Sequence, residues 1–494
     1  MLDILVQTFR RWKKLLYSYL TSAILFYHKA LGHTAIGPSS GSLSITDNRT
    51  RRKYTIPIVN NAIRATDFLQ ITSAGMGADF VDHYENSIRI LDKGFLNTAC
   101  TESAITLIDG KRGYIQYRDY SIEDLFHHHD YEEVIHLLIW GKLPTPEQKN
   151  TLRRKLAAAM KPYPNVINVI QSFPPDSLTF PMILAGIAAY ASLDEGTRAT
   201  HSQSQPYYLG KDEAVDAAVI RTLATLATIT ALVYCHKRGR KFTPANPDES
   251  YIGNILLMMG VIDEGTGQPN RKIEHCFERL WILNADHGMT NSTAAFLSAA
   301  STLTDPLSCS IAAVASAYGP LHGAAVEIAY RVFENVGTVE NVPKLIADVK
   351  AKKFRLFGYG HRIYKVVDPR GKLVRQLIDE YREDVRKNPL LQVALEIDRI
   401  AGEDHYFTSR NLKANADLYG CFLYTALGFE TDIILALSCL SRSPGVLAHW
   451  RESMSRPTTQ FVATPAYFHR DCCKAQERVS VGDTRWLFRR EDLD

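Results

Sequence analysis

Long apolar stretches with helical spacing dominate this chain from residue 121 onward. Residues 214–234 are rich in alanine and leucine and predict one long buried helix. Similar stretches cover residues 131–140, 250–260, 291–318 and 417–440, and Pro306 interrupts the one that begins at 291. The sequence therefore predicts an all-α, mainly helical fold.

Two short segments near the start have the alternation of β-strands instead. Residues 43–58 alternate around a polar turn that begins at Asp47, and residues 103–117 alternate around Asp109-Gly110. Each segment predicts a small hairpin. Residues 37–42 are rich in Gly, Ser and Pro and predict a linker, so residues 1–42 are interpreted as an N-terminal extension.

Length and composition narrow the class of protein. At 494 residues the chain exceeds one typical core, which indicates two domains. The formal net charge of +4 is small for this length, so nothing demands nucleic acid as a partner. The eight cysteines show no CxxC spacing, which favours a reducing compartment without a disulfide framework.

The first thirty residues leave the compartment open. Four basic residues between positions 10 and 14 precede the apolar residues 15–27, which are too few for a comfortable membrane span. A mitochondrial presequence and a plain amphipathic appendage are equally good interpretations. No stable membrane span is expected elsewhere. The expected location is intracellular, either mitochondrial or cytoplasmic.

Residues 358–370 carry the clearest chemical signal. They begin Gly-Tyr-Gly-His and end Asp-Pro-Arg, so two glycines allow close approach of the backbone and a proline sets a turn. His361 is suited to donate a hydrogen bond to a polarised oxygen, and Arg370 to hold a carboxylate with two N–H groups. Together they indicate a keto-acid site, although a structural loop remains an alternative for this segment alone.

Other short motifs surround this segment in the sequence. They are Asp286-His287, Gly319-Pro320-Leu321-His322-Gly323, Asn415-Ala416-Asp417, and the separate arginines Arg442 and Arg456. Each has a structural alternative, because a histidine at a helix end, an aspartate N-cap or a surface ion pair is common. A metal site at His127-His128-His129 is disfavoured, because adjacent residues of a helix do not share a face.

In this order, the motifs resemble those of the citrate synthase family. Further similarity lies in residues 97–106 and 250–259, and the resemblance spans about residues 43–460. It implies a large helical domain of residues 43–323 and 429–494, and a smaller domain of residues 324–428 that closes over substrate. Minor strands are expected near the N-terminus.

The resemblance also implies a reaction and its catalytic residues. Members of the family join the α-carbon of an acyl-CoA to the ketone of oxaloacetate and then hydrolyse the thioester. Asp417 is expected to be the base, His322 to hydrogen-bond the thioester oxygen and His361 to polarise the ketone. This division suits the chemistry, since a carboxylate takes a proton while two imidazoles meet two oxygens.

Binding residues follow from the same resemblance. Oxaloacetate is expected to contact His287, His361, Arg370 and Arg442, with Arg456 reaching across from a partner subunit of a homodimer. Coenzyme A is expected to contact Lys365, Phe357 and Gly358. The resemblance implies no metal or redox cofactor. The coenzyme A thioester is a substrate.

The chain departs from the family pattern at a few positions, which leaves the acyl group open. Val326 stands where relatives have Asn, Gly288 where they have Glu, and Thr458 where many have Arg. One hypothesis is an alkylcitrate synthase of specialised metabolism that uses a longer acyl-CoA. A second is ordinary mitochondrial citrate synthase or 2-methylcitrate synthase. A third, non-catalytic binding of oxaloacetate or CoA, is disfavoured because a binder needs no base.

Overall fold

The computed structural model describes residues 40–72, 87–92, 94–361 and 363–455, apart from the side chain of Asp417. The predicted extension at residues 1–42 lies almost wholly outside this range. The described residues up to 101 belong to one compact unit and those from 102 to 455 to another. Each unit is described on its own.

The first unit begins with the predicted hairpin. Strands β1, Gly41–Thr46, and β2, Lys53–Ile58, pair antiparallel with Thr46 opposite Lys53. The Asp47 carboxylate accepts the main-chain N–H of Arg49 at 2.9 Å and also its guanidinium, which shapes the connecting turn. A short 3₁₀ helix follows at Ala65–Gln70. The first predicted hairpin is therefore confirmed.

The second unit begins with a three-stranded antiparallel sheet. Its strands are β3, Thr106–Asp109, β4, Tyr114–Tyr117, and β5, Tyr120–Ser121, in the order β3-β4-β5. The Asp109 carboxylate accepts the N–H groups of Lys111 and Arg112, each at 3.0 Å, and so closes the turn between β3 and β4. This confirms the second predicted hairpin.

Helices form the rest of the second unit, and the mainly helical prediction is confirmed. The first ten are α1 Ile122–His128, α2 Tyr131–Trp140, α3 Pro146–Ala159, α4 Pro164–Gln171, α5 Thr179–Ala191, α6 Glu195–Ser202, α7 Asp212–Arg238, α8 Tyr251–Met258, α9 Arg271–Asn284 and α10 Asn291–Ala300. The next are α11 Pro306–Ala317, α12 Ala325–Val336, α13 Val342–Lys350, α14 Pro369–Glu380, α15 Arg382–Val385, α16 Leu390–Glu403, α17 His405–Thr408, α18 Asp417–Ala426 and α19 Thr431–Met454.

Local sequence explains where several of these helices begin and end. Asp130 and Glu133 form a reciprocal capping box at the start of α2, which satisfies N–H groups that the helix leaves free. Pro306 opens α11, and the Asp305 side chain accepts two of its first N–H groups, so the predicted interruption is confirmed. Helix α7 is long and apolar enough to cross a membrane, but 89% of its most apolar window is buried inside the protein.

One helix prediction is wrong. Residues 417–440 form two helices, α18 and α19, whose axes bend by 108° between residues 426 and 431. Gly428 has a φ of 86° in this break, which an L-residue rarely adopts. Residues 428–432, Gly-Phe-Glu-Thr-Asp, interrupt the apolar pattern at this break, and the prediction of one helix over 417–440 overlooked that interruption.

Helix α19 is the centre of the unit. It packs on α2, α7, α9 and α10. Helices α12, α13, α14, α16 and α18 pack among themselves, with α12 and α14 both on α18. These helices all lie within residues 324–428, the range predicted for a smaller domain. The proposed domain boundaries stay a prediction.

Candidate active site

Main-chain pairing joins residues 358–360 to residues 413–415. The N–H of Gly360 donates to the carbonyl of Lys413 at 2.7 Å, and the N–H of Asn415 donates to the carbonyl of Gly358 at 3.0 Å. A Cβ atom on Gly358 would lie 2.9 Å from the Cα of Leu418, and the φ of Gly358 is 82°. Only glycine suits this approach, which brings His361 beside the first turn of α18.

The main chain fixes which ring nitrogen of His361 is a hydrogen-bond donor. Its Nδ1 accepts the main-chain N–H groups of Ile363 at 3.1 Å and Tyr364 at 3.3 Å, so the proton of the neutral ring lies on Nε2. Burial, followed by the positive charge of Arg370, lowers the pKa of His361 to about 4. At neutral pH the ring is therefore an uncharged N–H donor at Nε2.

His322 has the opposite tautomer. Its Nε2 accepts the main-chain N–H of Ser292 at 3.2 Å and lies 2.9 Å from the Ser292 hydroxyl oxygen. Ser292 lies in the first turn of α10, where main-chain N–H groups have no partner within the helix. Burial, followed by the charge of Arg442, lowers the pKa of His322. The neutral ring therefore carries its proton on Nδ1.

His287 joins the His361 side of the site. The rings of His287 and His361 lie edge to face with centroids 5.5 Å apart, and the Tyr364 hydroxyl lies 2.8 Å from Nε2 of His287. Burial, followed by the charges of Arg370 and Arg442, holds the pKa of His287 well below its ordinary value. The structure thus brings together four of the predicted oxaloacetate residues.

Each of the two arginines is held from behind. Arg370 binds the Asp368 carboxylate with Nε at 3.0 Å and one terminal nitrogen at 2.7 Å. Burial works to raise the pKa of Asp368, but Arg370 outweighs it and the pKa is lowered. Arg442, in α19, donates to the carbonyl oxygen of Asn284 at 2.5 Å and to its side-chain oxygen at 2.7 Å. These bonds orient both guanidinium groups beside the histidines.

A buried hydrogen-bonded chain supports His287. Asp286 is 0% exposed, and its carboxylate accepts the N–H of Gly288 at 2.8 Å and lies 3.3 Å from Nε2 of His449. Nδ1 of His449 lies 3.2 Å from the Ser103 hydroxyl. Burial works to raise the pKa of Asp286, but His449 outweighs it and the pKa is lowered. A charged carboxylate therefore anchors the turn that carries His287.

The structure gives less information about the remaining predicted site residues. Asp417 is the first residue of α18, and its side chain lies outside the described structure, as does the whole of Arg456. Lys365 is exposed, and its main-chain N–H donates to the carbonyl of Gly110 at 2.8 Å. Phe357 is partly buried, with the Arg355 guanidinium 5.7 Å from its ring centre. These two contacts do not test the predicted CoA site.

Two residues of the site were missed in the sequence. Tyr364 lies within the segment 358–370, but an aromatic residue beside Ile363 is typical of a core position. Ser292 follows His287 by five residues and is an ordinary residue for the start of a helix. Within the described ranges, no group of His, Cys, Asp and Glu side chains is arranged to hold a metal ion.

Comparison with known proteins identifies the family. A family model described as citrate synthase, C-terminal domain, matches residues 94–461, which is well over half of the chain. The chain belongs to the citrate synthase family. It is a citrate synthase-type enzyme, and this family condenses an acyl-CoA with oxaloacetate.

Individual relatives agree with this assignment. The chain is 48% identical over 420 residues to the citrate synthase-like protein oryE of Aspergillus oryzae, which covers 85% of this chain and 94% of that protein. It is 37% identical over 435 residues to the alkylcitrate synthase tstJ of Talaromyces stipitatus, covering 87% of this chain and 94% of that one.

A solved citrate synthase has the same fold. It is the enzyme from Thermoplasma acidophilum in a ternary complex with carboxymethyl coenzyme A and oxaloacetate. The TM-score is 0.69 at 26% identity, over 81% of this chain and 98% of that one. The citrate synthase-like fold expected from the sequence is therefore confirmed.

Proposed function

We propose that this enzyme is an alkylcitrate synthase. It condenses oxaloacetate with an acyl-CoA longer than acetyl-CoA and hydrolyses the thioester, which yields an alkylcitrate and free CoA. Similarity to proteins named citrate synthase-like and alkylcitrate synthase supports the proposal. We place this reaction in specialised metabolism.

One observation carries the proposed chemistry: two neutral histidines present N–H donors from opposite ring nitrogens. Asp417 removes a proton from the α-carbon of the acyl group while Nδ1–H of His322 donates to the thioester oxygen. Nε2–H of His361 donates to the ketone oxygen of oxaloacetate, so the ketone carbon becomes more electrophilic. The α-carbon bonds to that carbon, and the former ketone oxygen takes up one proton, which balances the proton that Asp417 removed, and becomes a hydroxyl. Water then splits the thioester into a carboxylate and the CoA thiol.

The proposed oxaloacetate subsite uses arginines because the substrate carries two carboxylates. Arg370 and Arg442 are oriented by Asp368 and Asn284, so each guanidinium group has a fixed direction, and a guanidinium suits a carboxylate because it can donate two parallel hydrogen bonds. We include His287 in this subsite, and Arg456 as the contribution of a second subunit in a homodimer. Lys365, Phe357 and Gly358 are proposed to contact CoA, and no metal or redox cofactor takes part.

Two departures from the family pattern support a longer acyl chain. Gly288 follows His287, and a Cβ atom placed there would meet only the Cδ1 atom of Ile108, at 3.8 Å. The glutamate of relatives would fill this space with a charge. Val326 is 9% exposed, and its Cγ2 atom would lie 3.1 Å from a Cβ atom on Gly420. An apolar side chain therefore packs against α18 one turn after Asp417.

A panel of acyl-CoAs tests the proposal. The purified enzyme is incubated with oxaloacetate and acyl-CoAs from acetyl to long-chain, and the products are identified by mass spectrometry. We expect the highest kcat/KM with a chain longer than propionyl. Highest turnover with acetyl-CoA or propionyl-CoA would instead assign citrate synthase or 2-methylcitrate synthase.

A base-deficient variant separates catalysis from binding. Asp417→Ala is expected to abolish condensation while calorimetry still detects oxaloacetate binding, because the carboxylate acts on the acyl group. Retained condensation, or loss of oxaloacetate binding in this variant, would contradict this role. Absence of CoA release with every acyl-CoA in the wild-type enzyme would leave only a binding protein.

A further inference from the structure

Asp398, in α16, is the centre of a cluster formed with Tyr359, Tyr419 and Arg375. Its Oδ1 accepts the hydroxyl of Tyr359 at 2.5 Å, and its Oδ2 accepts the hydroxyl of Tyr419 at 2.7 Å. The guanidinium of Arg375 forms an ion pair with the same Oδ2. A carboxylate only accepts hydrogen bonds, so both tyrosines are donors. Neither the motifs nor the family resemblance assigned Asp398 a role.

The two tyrosines lie next to the proposed ketone donor and the proposed base. Tyr359 precedes His361 by two residues, and Tyr419 follows Asp417 by two residues in the first turn of α18. The main-chain pairing on the N-terminal side of Asp417 ends before α18 begins, so the bond from Tyr419 adds a constraint on that turn. Because residues 417 and 419 belong to one helical turn, the bond also holds the main chain at residue 417.

Little of the Asp398 cluster reaches solvent at its tyrosines. Tyr359 and Tyr419 are 7% and 2% exposed, and the side chain of Asp398 is 18% exposed. Burial, followed by the neighbouring Asp398, raises the pKa of both tyrosines, so both hydroxyls keep their protons at neutral pH. A buried hydroxyl without an acceptor costs free energy, so each tyrosine favours the arrangement in which it reaches Asp398.

The third partner extends the cluster to the proposed oxaloacetate subsite. Arg375 lies in α14, the helix that carries Arg370 in its first turn, and its guanidinium carbon lies 5.0 Å from the centre of the Tyr419 ring. Helices α14 and α18 also pack on each other. Asp398 therefore joins three segments that each carry a proposed catalytic or substrate-binding residue.

We propose that Asp398 is a positioning residue that fixes the proposed base Asp417 relative to the proposed ketone donor His361. It acts through Tyr419 and Tyr359, and it does not itself contact either substrate. The α-carbon and the ketone carbon must meet between base and donor, so a fixed separation of these two groups lowers the barrier to condensation. The inference rests on the proposed condensation mechanism but is independent of the length of the acyl chain.

Asp398→Asn tests this role, because asparagine keeps the shape of the side chain but has only one acceptor oxygen and cannot accept from both tyrosines. Steady-state kinetics are measured with oxaloacetate and the best acyl-CoA of the panel. We expect kcat to fall by at least about tenfold, since a small displacement of a reacting group is costly. The KM for oxaloacetate should stay within about threefold of wild type, because Asp368 still orients Arg370.

Tyr419→Phe removes the bond to Asp398 from its other end. We expect this variant also to have a lower kcat with a KM for oxaloacetate close to that of wild type. The double variant, with both Asp398→Asn and Tyr419→Phe, should lose little more kcat than Asp398→Asn alone, because the two changes remove one shared interaction.

Asp348→Asn is the matched control. The side chain of Asp348 is 22% exposed, and its Oδ1 accepts the ammonium group of Lys353 at 2.9 Å. The same substitution therefore disturbs an ion pair of similar exposure in α13, a helix that carries no predicted site residue. Its kcat should equal that of wild type. The midpoint of thermal unfolding, measured for every variant, shows what fraction of each is folded at the assay temperature.

The other outcomes separate the alternatives. A kcat of Asp398→Asn equal to that of Asp348→Asn would overturn the role of Asp398 and leave the proposed function intact. A loss of kcat that only follows the folded fraction would also overturn it, because Asp398 would then support the fold alone. Fully additive losses in the double variant would contradict action through Tyr419. Failure of wild type to release CoA from any acyl-CoA would overturn both the role and the proposed function.

Discussion

At the scale of the residue, the protonation state of each histidine follows from its main-chain neighbours. Two N–H groups donate to Nδ1 of His361, and one donates to Nε2 of His322. An imidazolium ring has no acceptor, so protonation of either ring would set donors against donors. The backbone therefore keeps both rings neutral and selects which nitrogen carries the proton.

The pKa of His361 gives a prediction for the pH dependence of activity. Because that pKa is lowered to about 4, the ring stays neutral as the pH falls through the range in which an ordinary histidine takes up a proton. We expect kcat/KM for oxaloacetate to show no acidic limb near pH 6.5 from this residue, and to fall only as the pH approaches about 4. Measurement at saturating acyl-CoA across about pH 4.5 to about pH 8 checks this expectation.

The same shift has a consequence for stability, which supplies a control. The unfolded chain protonates His361 near its ordinary pKa of about 6.5, whereas the folded chain does not. The free energy of unfolding therefore decreases as the pH falls from about 6.5 to about 4. Thermal unfolding at each pH separates this loss from catalysis. An acidic limb near pH 6.5 in a fully folded enzyme, traced to His361, would contradict the fixed tautomer.

The candidate histidines and arginines of the site were easier to predict from the sequence than the residues that hydrogen-bond to them. Histidine and arginine next to glycine and proline are unusual enough to be noticed, so His361 and Arg370 were predicted as site residues from residue type alone. Tyr364 and Ser292 were not, because tyrosine in an apolar run and serine at a helix start have common structural roles. Their functional contacts depend on segments that lie far apart in the sequence.

At the scale of the element, helices and hairpins were predicted from their regular patterns, whereas interruptions of a helix were harder to predict. Both hairpins and the break before Pro306 follow from local turn chemistry. The break between α18 and α19 includes the left-handed conformation of Gly428, and a single glycine is also tolerated within a continuous helix, so this residue alone does not decide between the two.

Gly358 provides a prediction at this scale. In Gly358→Ala the new Cβ would lie 2.9 Å from the Cα of Leu418, on a residue whose φ is 82°. We expect a loss of about 1–3 kcal/mol in the free energy of unfolding. We also expect a lower kcat, because the first turn of α18 carries Asp417. Denaturant unfolding and steady-state kinetics measure the two effects.

Gly402→Ala is the control for this change. Gly402 lies in α16, and a Cβ atom there meets nothing within 4 Å. Alanine in a helix is favoured over glycine by about 0.5–1 kcal/mol, so this variant should be slightly more stable and equally active. Equal stability of the two variants would show that the approach of residue 358 to α18 is not constrained.

At the scale of the whole molecule, the proposed role of Arg456 requires two subunits. Asp417→Ala and Arg456→Ala should each be inactive as homodimers. In a heterodimer of the two, one site would combine an intact Asp417 with an intact Arg456 from the other chain. We therefore expect about half of the wild-type activity per dimer, since one of two sites is complete.

Heterodimers isolated through two different affinity tags provide the measurement. A heterodimer of wild type and Asp417→Ala, prepared in the same way, is the control and should also have one complete site. If Arg456 acted within its own chain, the heterodimer of the two variants would be inactive, while the control heterodimer would keep about half of the wild-type activity.

The pairing of residues 358–360 with 413–415 has a kinetic consequence. His361 follows the first segment directly and Asp417 follows the second after Ala416, so the proposed donor for the ketone and the proposed base for the acyl group extend from paired main-chain segments. His322 and Arg442 belong to other elements. If residues 358–360 and 413–415 move as one unit, the proposed donor and the proposed base keep their separation during that movement, so one rearrangement positions both.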